Sequence, residues 1–310
     1  MNLLSNSIHD EVNSCTKCNS LARHLSCVFS IMRVIKYKIE KEGNILAFLK
    51  SKAYSSRLIS ELRREENGIV LNGEKAKTTA EMNVGDSLII TLPDGESEIE
   101  GVDLPLEVIY EDEDVLVVNK APFTVCHPTR NHQGDTLANA VAFHLQRQGK
   151  KCTFRAINRL DRDTTGLVVI ALNRYSAGRL AGKIDKIYLA LATGEIKKDG
   201  TINMPIERVD ERKILRTVGE NGQSAVTHYE VIKSTPEATL LKIKLETGRT
   251  HQIRVHFKAI GHPLVGDTMY GTADERIPRQ CLHCTEVSFR HPVSEEEITL
   301  HSKAEFEEFV

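Results

Sequence analysis

Asn158-Arg-Leu-Asp161-Arg-Asp163-Thr-Thr-Gly166, running straight into Leu167-Val-Val-Ile-Ala-Leu172, is the stretch on which the fold turns. Asp161 is its centre. The polar half is a tight turn, because Asn, Asp and Thr satisfy their own backbone there. The apolar half is continuous rather than alternating, the pattern of a strand buried on both faces. A carboxylate so placed sits on a rigid support. Taken alone, a Gly-ended Asp/Thr turn does no more than cap a strand.

Around this stretch the chain organises into two domains. Its 310 residues and 40% hydrophobic content suffice for more than one core. Residues 1–31 lack periodicity and read as a tail; 32–93 form a small α+β domain, 94–105 an acidic linker, and 106–310 the larger domain that holds Asp161. In the small domain, Ile45, Phe48 and Leu49 share one helical face. A second helix follows the cap at Ser55-Ser56, with Leu58, Ile59 and Leu62 inward and Asn67-Gly68 at its end. Asn72-Gly73 between Ile69–Leu71 and Glu74–Ala76 is a hairpin turn. In the large domain, strands are predicted at 107–110, 115–119, 167–172, 187–192, 226–232, 239–245, 282–289 and 297–300. Helices are predicted from a Thr136 cap to about Gln148 and from a Thr250 cap to Gly261. Strands outnumber helices and hairpins recur, which points to an α+β fold with a mixed, largely antiparallel sheet and flanking helices.

Charge identifies a partner class. The net charge is −2, yet residues 33–77 carry eleven Lys/Arg against six Glu, an excess of five positive charges, while residues 78–119 carry twelve Asp/Glu and no Lys or Arg. Such local asymmetry is the footprint of an electrostatic partner. No apolar run is long enough to span a bilayer, and no secretory signal opens the chain; a cytoplasmic location is the expectation. The seven cysteines show no disulfide framework. Cys15-x-x-Cys18 and Cys281-x-x-Cys284 have a spacing known from structural zinc, but they lie at opposite ends of the chain and the second pair falls in a strand. Ordinary thiols and no metal are expected. No phosphate-binding glycine loop or nucleotide fingerprint is present, so no cofactor is expected.

Three segments together, Asn158–Gly166, Lys186-x-Tyr188-x-Ala190 and Gly248-Arg-Thr-His-Gln-Ile-Arg-Val-His256, resemble the RluA-like pseudouridine synthases, whose signature reads His/Asn-Arg-Leu-Asp-x-x-Thr-Ser/Thr-Gly. The resemblance runs from about Leu106 to the C-terminus. It implies isomerisation of uridine in RNA, with Asp161 as nucleophile, Tyr188 against the base and Arg249 as the cation that keeps Asp161 charged. Arg159 would fill the space left by an extruded nucleotide, and Gln252 and Arg254 would contact RNA. The small domain resembles the alpha-L RNA-binding motif, with Arg57, Arg63, Arg64, Lys75 and Lys77 as phosphate contacts. Large-subunit ribosomal RNA is the first expectation for the substrate and transfer RNA the second; no obligate protein partner is implied.

Two departures from the family pattern stand out. Lys120-Ala-Pro-Phe123 has Ala121 and Phe123 where the family has Pro and Gly, and the segment between Leu180 and Lys186 is several residues short, which should loosen the support of Tyr188. An RNA-binding protein without full activity is therefore an alternative. A base-releasing hydrolase with Asp161 and Asp163 as an acid/base pair is another.

Overall fold

The computed structural model describes residues 33–93, 99–150, 153–210 and 214–310. The proposed tail and Cys15 and Cys18 lie outside the described residues.

The small domain opens with β1 (Val34–Lys38), a strand not among those predicted, in which inward Ile35 and Tyr37 alternate with exposed Lys36 and Lys38. β2 (Gly43–Asn44) leads into α1 (Ile45–Ser51), and α2 (Ser56–Leu62) follows. Asn44 and Ser55 cap these helices by accepting from Ala47 N and Leu58 N. α2 stops at Leu62, before the predicted Asn67-Gly68 end. β3 (Ile69–Leu71) and β4 (Glu74–Lys75) make the predicted hairpin, with Asn72 and Gly73 both at positive φ. β5 (Glu81–Met82) pairs with β2, and β6 (Ser87–Thr91) completes a four-stranded sheet of order β1-β6-β3-β4. Ile45, Leu49, Leu58, Ile59 and Leu62 pack on Ile35, Leu88 and Ile90 as one core.

The large domain is built on a nine-stranded sheet. Along the chain come β7 (Glu107–Glu111), β8 (Val115–Lys120), α3 (Leu137–Arg147), β9 (Thr165–Ala171), α4 (Arg174–Leu180) and β10 (Asp185–Thr193). Then follow β11 (Gly200–Asn203), the short pair β12 (Ile206–Arg208) and β13 (Arg216–Val218), β14 (Val226–Ser234), β15 (Ala238–Leu245), α5 (Gln252–Ala259), β16 (Leu282–Arg290) and β17 (Glu297–His301). The sheet order is β11-β14-β15-β10-β16-β9-β8-β7, with β17 beside β16. Every pairing is antiparallel except β16 with β9, where His283 faces Thr165 and Cys284 faces Gly166. The α+β reading is correct.

β9 is buried at all seven positions, as its continuous apolar run predicts. It forms a single core with Val117 of β8, Leu137, Val141 and Leu145 of α3, and Ile253 and Phe257 of α5. α3 carries the predicted Thr136 cap, closed by Asn139 into a capping box, and Gly149 at φ 72 ends it.

The two domains are joined by buried polar contacts. Arg33 grips the Asp114 carboxylate through Nε and Nη2 at 3.0 and 2.7 Å, and Asn173 and Ser176 donate to the same carboxylate. Tyr175 of α4 buries its ring in the small domain's core, 4.3 Å from that of Tyr54, and donates to Lys52 O. Asp112 and His291 lie close enough to Asp114 to suggest metal ligands. Tyr110 and the amides of Asp114 and Val115 already donate to Asp112, while Arg33 occupies Asp114.

Candidate active site

Asp161 sits in a turn tied to the sheet from several sides. Thr164 N donates to Asp161 O, closing the turn. Asn158 acts as an extra strand residue, donating to Leu167 O at 3.0 Å and accepting from Val169 N at 2.8 Å. Gln280 donates to Thr164 Oγ1 at 3.1 Å. Beneath the turn lies Lys120, 1% exposed, whose ammonium donates at 2.9 Å to each of three carbonyls: Ala121 O, Thr124 O and Arg162 O. Burial pushes the Lys120 pKa down to about 8.

The turn ends in Gly166 for a steric reason. Its φ is +111°, and a Cβ there would lie 2.3 Å from Cys284 O and 2.5 Å from Cys284 N. The one parallel contact in the sheet is thus a backbone approach that only glycine permits.

A pocket opens above the turn, lined among others by Arg159, Asp161, Tyr188, Arg249, His251 and Arg254. The three sequence segments do converge. Tyr188, in the middle of β10, pairs with Ile243 on one side and Cys284 on the other and is 6% exposed. Burial first, and then the neighbouring Cys284 and Asp161, hold its phenol well above the ordinary range. The short segment after Leu180 does not loosen it: a tight turn there suffices, because the two flanking strands hold the residue.

The cation beside Asp161 is Arg254 rather than Arg249. Arg254 Nη1 lies 3.6 Å from Asp161 Oδ2. The same guanidinium makes a fork with Asp267, Nε to Oδ2 at 2.7 Å and Nη2 to Oδ1 at 2.8 Å. Burial opposes its charge, but the Asp267 contacts outweigh this and raise its pKa. Arg249 lies in the loop before α5 and donates from Nε to Ser224 O at 2.9 Å. Arg254 lies within α5, whose first six residues are all buried, whereas Arg249 precedes the helix in a loop at the pocket wall.

Two residues expected as RNA contacts, Arg254 and Gln252, line the pocket but are spent largely on the protein's own contacts. Arg254 is 5% exposed and Gln252 is 3% exposed. The Gln252 amide is fully used, accepting from Thr247 Oγ1 and Arg249 N and donating to Val226 O and Thr227 Oγ1. It shapes the loop at the pocket wall. Arg159 remains exposed at the pocket wall. Asp163 is held by Arg162, at 2.7 and 3.0 Å, rather than being aimed at Asp161 as an acid/base partner.

His251 is a site residue to which the sequence motif alone assigns no role. It caps α5 with φ 57, where Thr250 was the expected cap, and makes no side-chain cap bond. Its Nδ1 is 2.8 Å from Tyr270 Oη and its Nε2 is 3.9 Å from Asp161 Oδ2. Burial lowers its pKa, Asp161 works in the opposite sense, and Arg254 adds to the lowering. Asp267, the anchor of Arg254, was missed as well.

Residues 114–259 match the RNA pseudouridylate synthase family. RNA pseudouridine synthase YjbO of Bacillus subtilis (strain 168) is 37% identical over 256 residues, which span 80% of this chain and 90% of that protein. The chain belongs to the RNA pseudouridine synthase family. Ribosomal large subunit pseudouridine synthase D of Vibrio cholerae is 37% identical over 259 residues, 76% of this chain and 80% of that one. Among solved structures, human RNA pseudouridylate synthase domain containing 1 superposes with a TM-score of 0.55 at 29% identity, over 66% of this chain and 86% of that chain. The protein is accordingly an RNA-modifying isomerase of the RluA-like type whose substrate is RNA.

Proposed function

We propose that this pseudouridine synthase acts on large-subunit ribosomal RNA, with Asp161 as the nucleophile. The observation that carries the catalytic assignment is the pairing of Asp161 with Arg254 in the pocket shared with Tyr188. The reaction breaks the bond from ribose C1′ to uracil N1, turns the base and rejoins it through C5, with no atom gained or lost. An aspartate has an ordinary pKa near ~4, so Asp161 needs no base to become nucleophilic. The half-enclosed pocket limits water that would otherwise capture a reactive intermediate, and Arg254 supplies the counter-charge.

Tyr188 presents an aromatic edge and a protonated hydroxyl to the base, since its phenol stays neutral at working pH. A stacked nucleotide cannot reach a pocket of this kind, so the target must be extruded. Arg159, exposed at the wall, fits the role of occupying the vacated space.

Arg57, Arg63, Arg64, Lys75 and Lys77 are all exposed on the small domain, consistent with phosphate contacts in an RNA-binding module. Support for ribosomal RNA is the similarity to the Vibrio cholerae large-subunit enzyme. A cytoplasmic location follows from such a substrate; among the described residues, no helix is long and apolar enough to cross a membrane.

The test is to incubate the protein with large-subunit ribosomal RNA, and separately with transfer RNA, from cells lacking the gene, and to map the modified positions. Pseudouridine in the ribosomal RNA, absent with Asp161→Asn at nearly unchanged RNA affinity, is the expected result. Pseudouridine only in transfer RNA would overturn the substrate, unchanged RNA would favour a binding protein, and free uracil would indicate a hydrolase.

A further inference from the structure

The loop that follows β8 contains a residue the fold has no use for. Lys120-Ala-Pro-Phe-Thr124 turns back at Pro122-Phe123, and Phe123 has φ 60. Proline followed by a residue at positive φ is the pattern of a type II turn, whose third position suits Gly or Asn. A bulky side chain there is a genuine outlier. Strain of this kind persists where the side chain has a task that offsets it.

Packing is not that task. Phe123 is 53% exposed, and among the described residues it is the only aromatic side chain in the set of exposed large hydrophobics.

Its position is informative. Lys120 at the end of β8 pairs with Gly166 at the start of β9, so the Phe123 turn and the Asp161 turn leave the sheet at the same end. One ammonium holds both: Lys120 Nζ is 2.9 Å from Ala121 O and Thr124 O in the first turn and 2.9 Å from Arg162 O in the second. The exposed side chains of these two loops are mostly polar, with Arg130 and Asp135 among them on the first and Arg159 and Arg162 on the second.

We propose that Phe123 is a stacking platform for an unpaired base of the substrate RNA next to the target uridine. The proposal rests on the chain's being an RNA-modifying enzyme and adds a recognition residue to it. Extruding a nucleotide strips its neighbour of a stacking partner, and an aromatic ring on the turn that Lys120 ties to the Asp161 turn restores one. An exposed ring on a loop that also exposes Arg130, beside a turn that exposes Arg159 and Arg162, suits a base with its phosphates. A protein partner would ask for a larger apolar patch, and among the described residues of these two loops Phe123 is the only exposed large hydrophobic side chain.

Phe123→Gly and Phe123→Tyr test this together. Glycine adopts φ 60 freely, so Phe123→Gly should melt at or above the wild-type temperature, and any loss of function cannot be ascribed to misfolding. Affinity is measured on total RNA from cells lacking the gene, with Asp161→Asn in every protein so that binding is read without turnover. Phe123→Gly should weaken binding by roughly five- to hundred-fold, the range for loss of one base–aromatic stack, and Phe123→Tyr should restore it. Equal affinity of the Gly and wild-type proteins overturns the proposal, as does a change of oligomeric state in place of RNA affinity, which would make the ring a contact between copies. Pseudouridine formation by proteins that retain Asp161 is scored separately, so an inactive wild type would count against the enzyme reading while the binding comparison still decides the role of Phe123.

Discussion

Arg254 stands between two carboxylates, forked onto Asp267 at 2.7 and 2.8 Å and reaching Asp161 Oδ2 with its remaining nitrogen at 3.6 Å. Asp267, fully buried, also accepts from Met269 N and Tyr270 N, so its own position is fixed. The Tyr270 ring lies 5.0 Å below the guanidinium. Asp161 therefore meets a cation whose orientation was set before substrate arrives.

Arg254→Lys keeps the charge but loses the fork. Pseudouridine formation should fall by at least about a hundredfold, mostly in kcat, as expected when a preorganised electrostatic contact is lost. Arg254→Ala should in addition cost about 3–5 kcal/mol of stability, because Asp267 is left buried and unpaired. Arg249→Ala, at the pocket wall, should act mainly on KM. Single-turnover and steady-state rates on the same RNA check all three, and a kcat defect larger for Arg249→Ala than for Arg254→Lys would return the counter-ion role to Arg249.

Gly166→Ala should be among the most damaging single changes of one methyl group in the chain. The added Cβ would meet the Cys284 backbone at 2.3 and 2.5 Å, and the φ of +111° disfavours any side chain. A loss of at least about 2 kcal/mol is expected from forced overpacking with strain. Gly178→Ala is the control: it lies in α4 with open space around it, and alanine there should add about 0.5–1 kcal/mol through helix propensity. Thermal unfolding of the two variants checks the opposite signs.

Much of this was legible in the sequence, and what was missed has physical causes. The β9 run, the Thr136 cap and the Asn72-Gly73 hairpin are local signals, and all three form as read. β1 is only five residues long, too short for its alternation of Ile35 and Tyr37 with Lys36 and Lys38 to stand out in a charged stretch, although Ile35 is only 2% exposed. Arg254 and Arg249 are both arginines of one motif; choosing between them needs the start of α5, which falls after the left-handed His251 and leaves Arg249 in the loop and Arg254 in the buried helix. Nothing local marks Asp267 as the anchor of Arg254, since that contact joins α5 to a loop thirteen residues on.

Acid should destabilise the fold through His283. This buried imidazole bonds to Thr165 Oγ1 at 2.7 Å and lies 3.2 Å from Ser302 Oγ, and burial pushes its pKa down to about 4. The unfolded chain takes up this proton near ~6.5 while the folded one refuses it until about 4. Stability from this residue is therefore complete above that higher value and is lost as pH falls through the window, roughly 3 kcal/mol in all. Denaturant unfolding from pH 7 to pH 4 should show this slope, and His283→Gln should flatten it; an unchanged slope would assign the acid sensitivity to other groups.

The small domain's grip on the catalytic domain should matter only for large substrates. Arg33 at Asp114 and Tyr175 in the small domain's core hold its exposed basic residues at a fixed distance from Asp161. Arg33→Met removes the fork without inserting a new charge and leaves Asn173 and Ser176 still donating to Asp114. Tyr175→Ala removes a 4.3 Å ring contact and the bond to Lys52 O. The double variant should exchange amide hydrogens faster in β1 and α4 and lose about tenfold or more in affinity for long structured RNA, the range expected when linked contacts cease to act together. On a short RNA that reaches only the Asp161 pocket, its turnover should match the wild type, because no contact inside the pocket has changed. Equal losses on short and long RNA would show instead that the joint supports the catalytic turn itself.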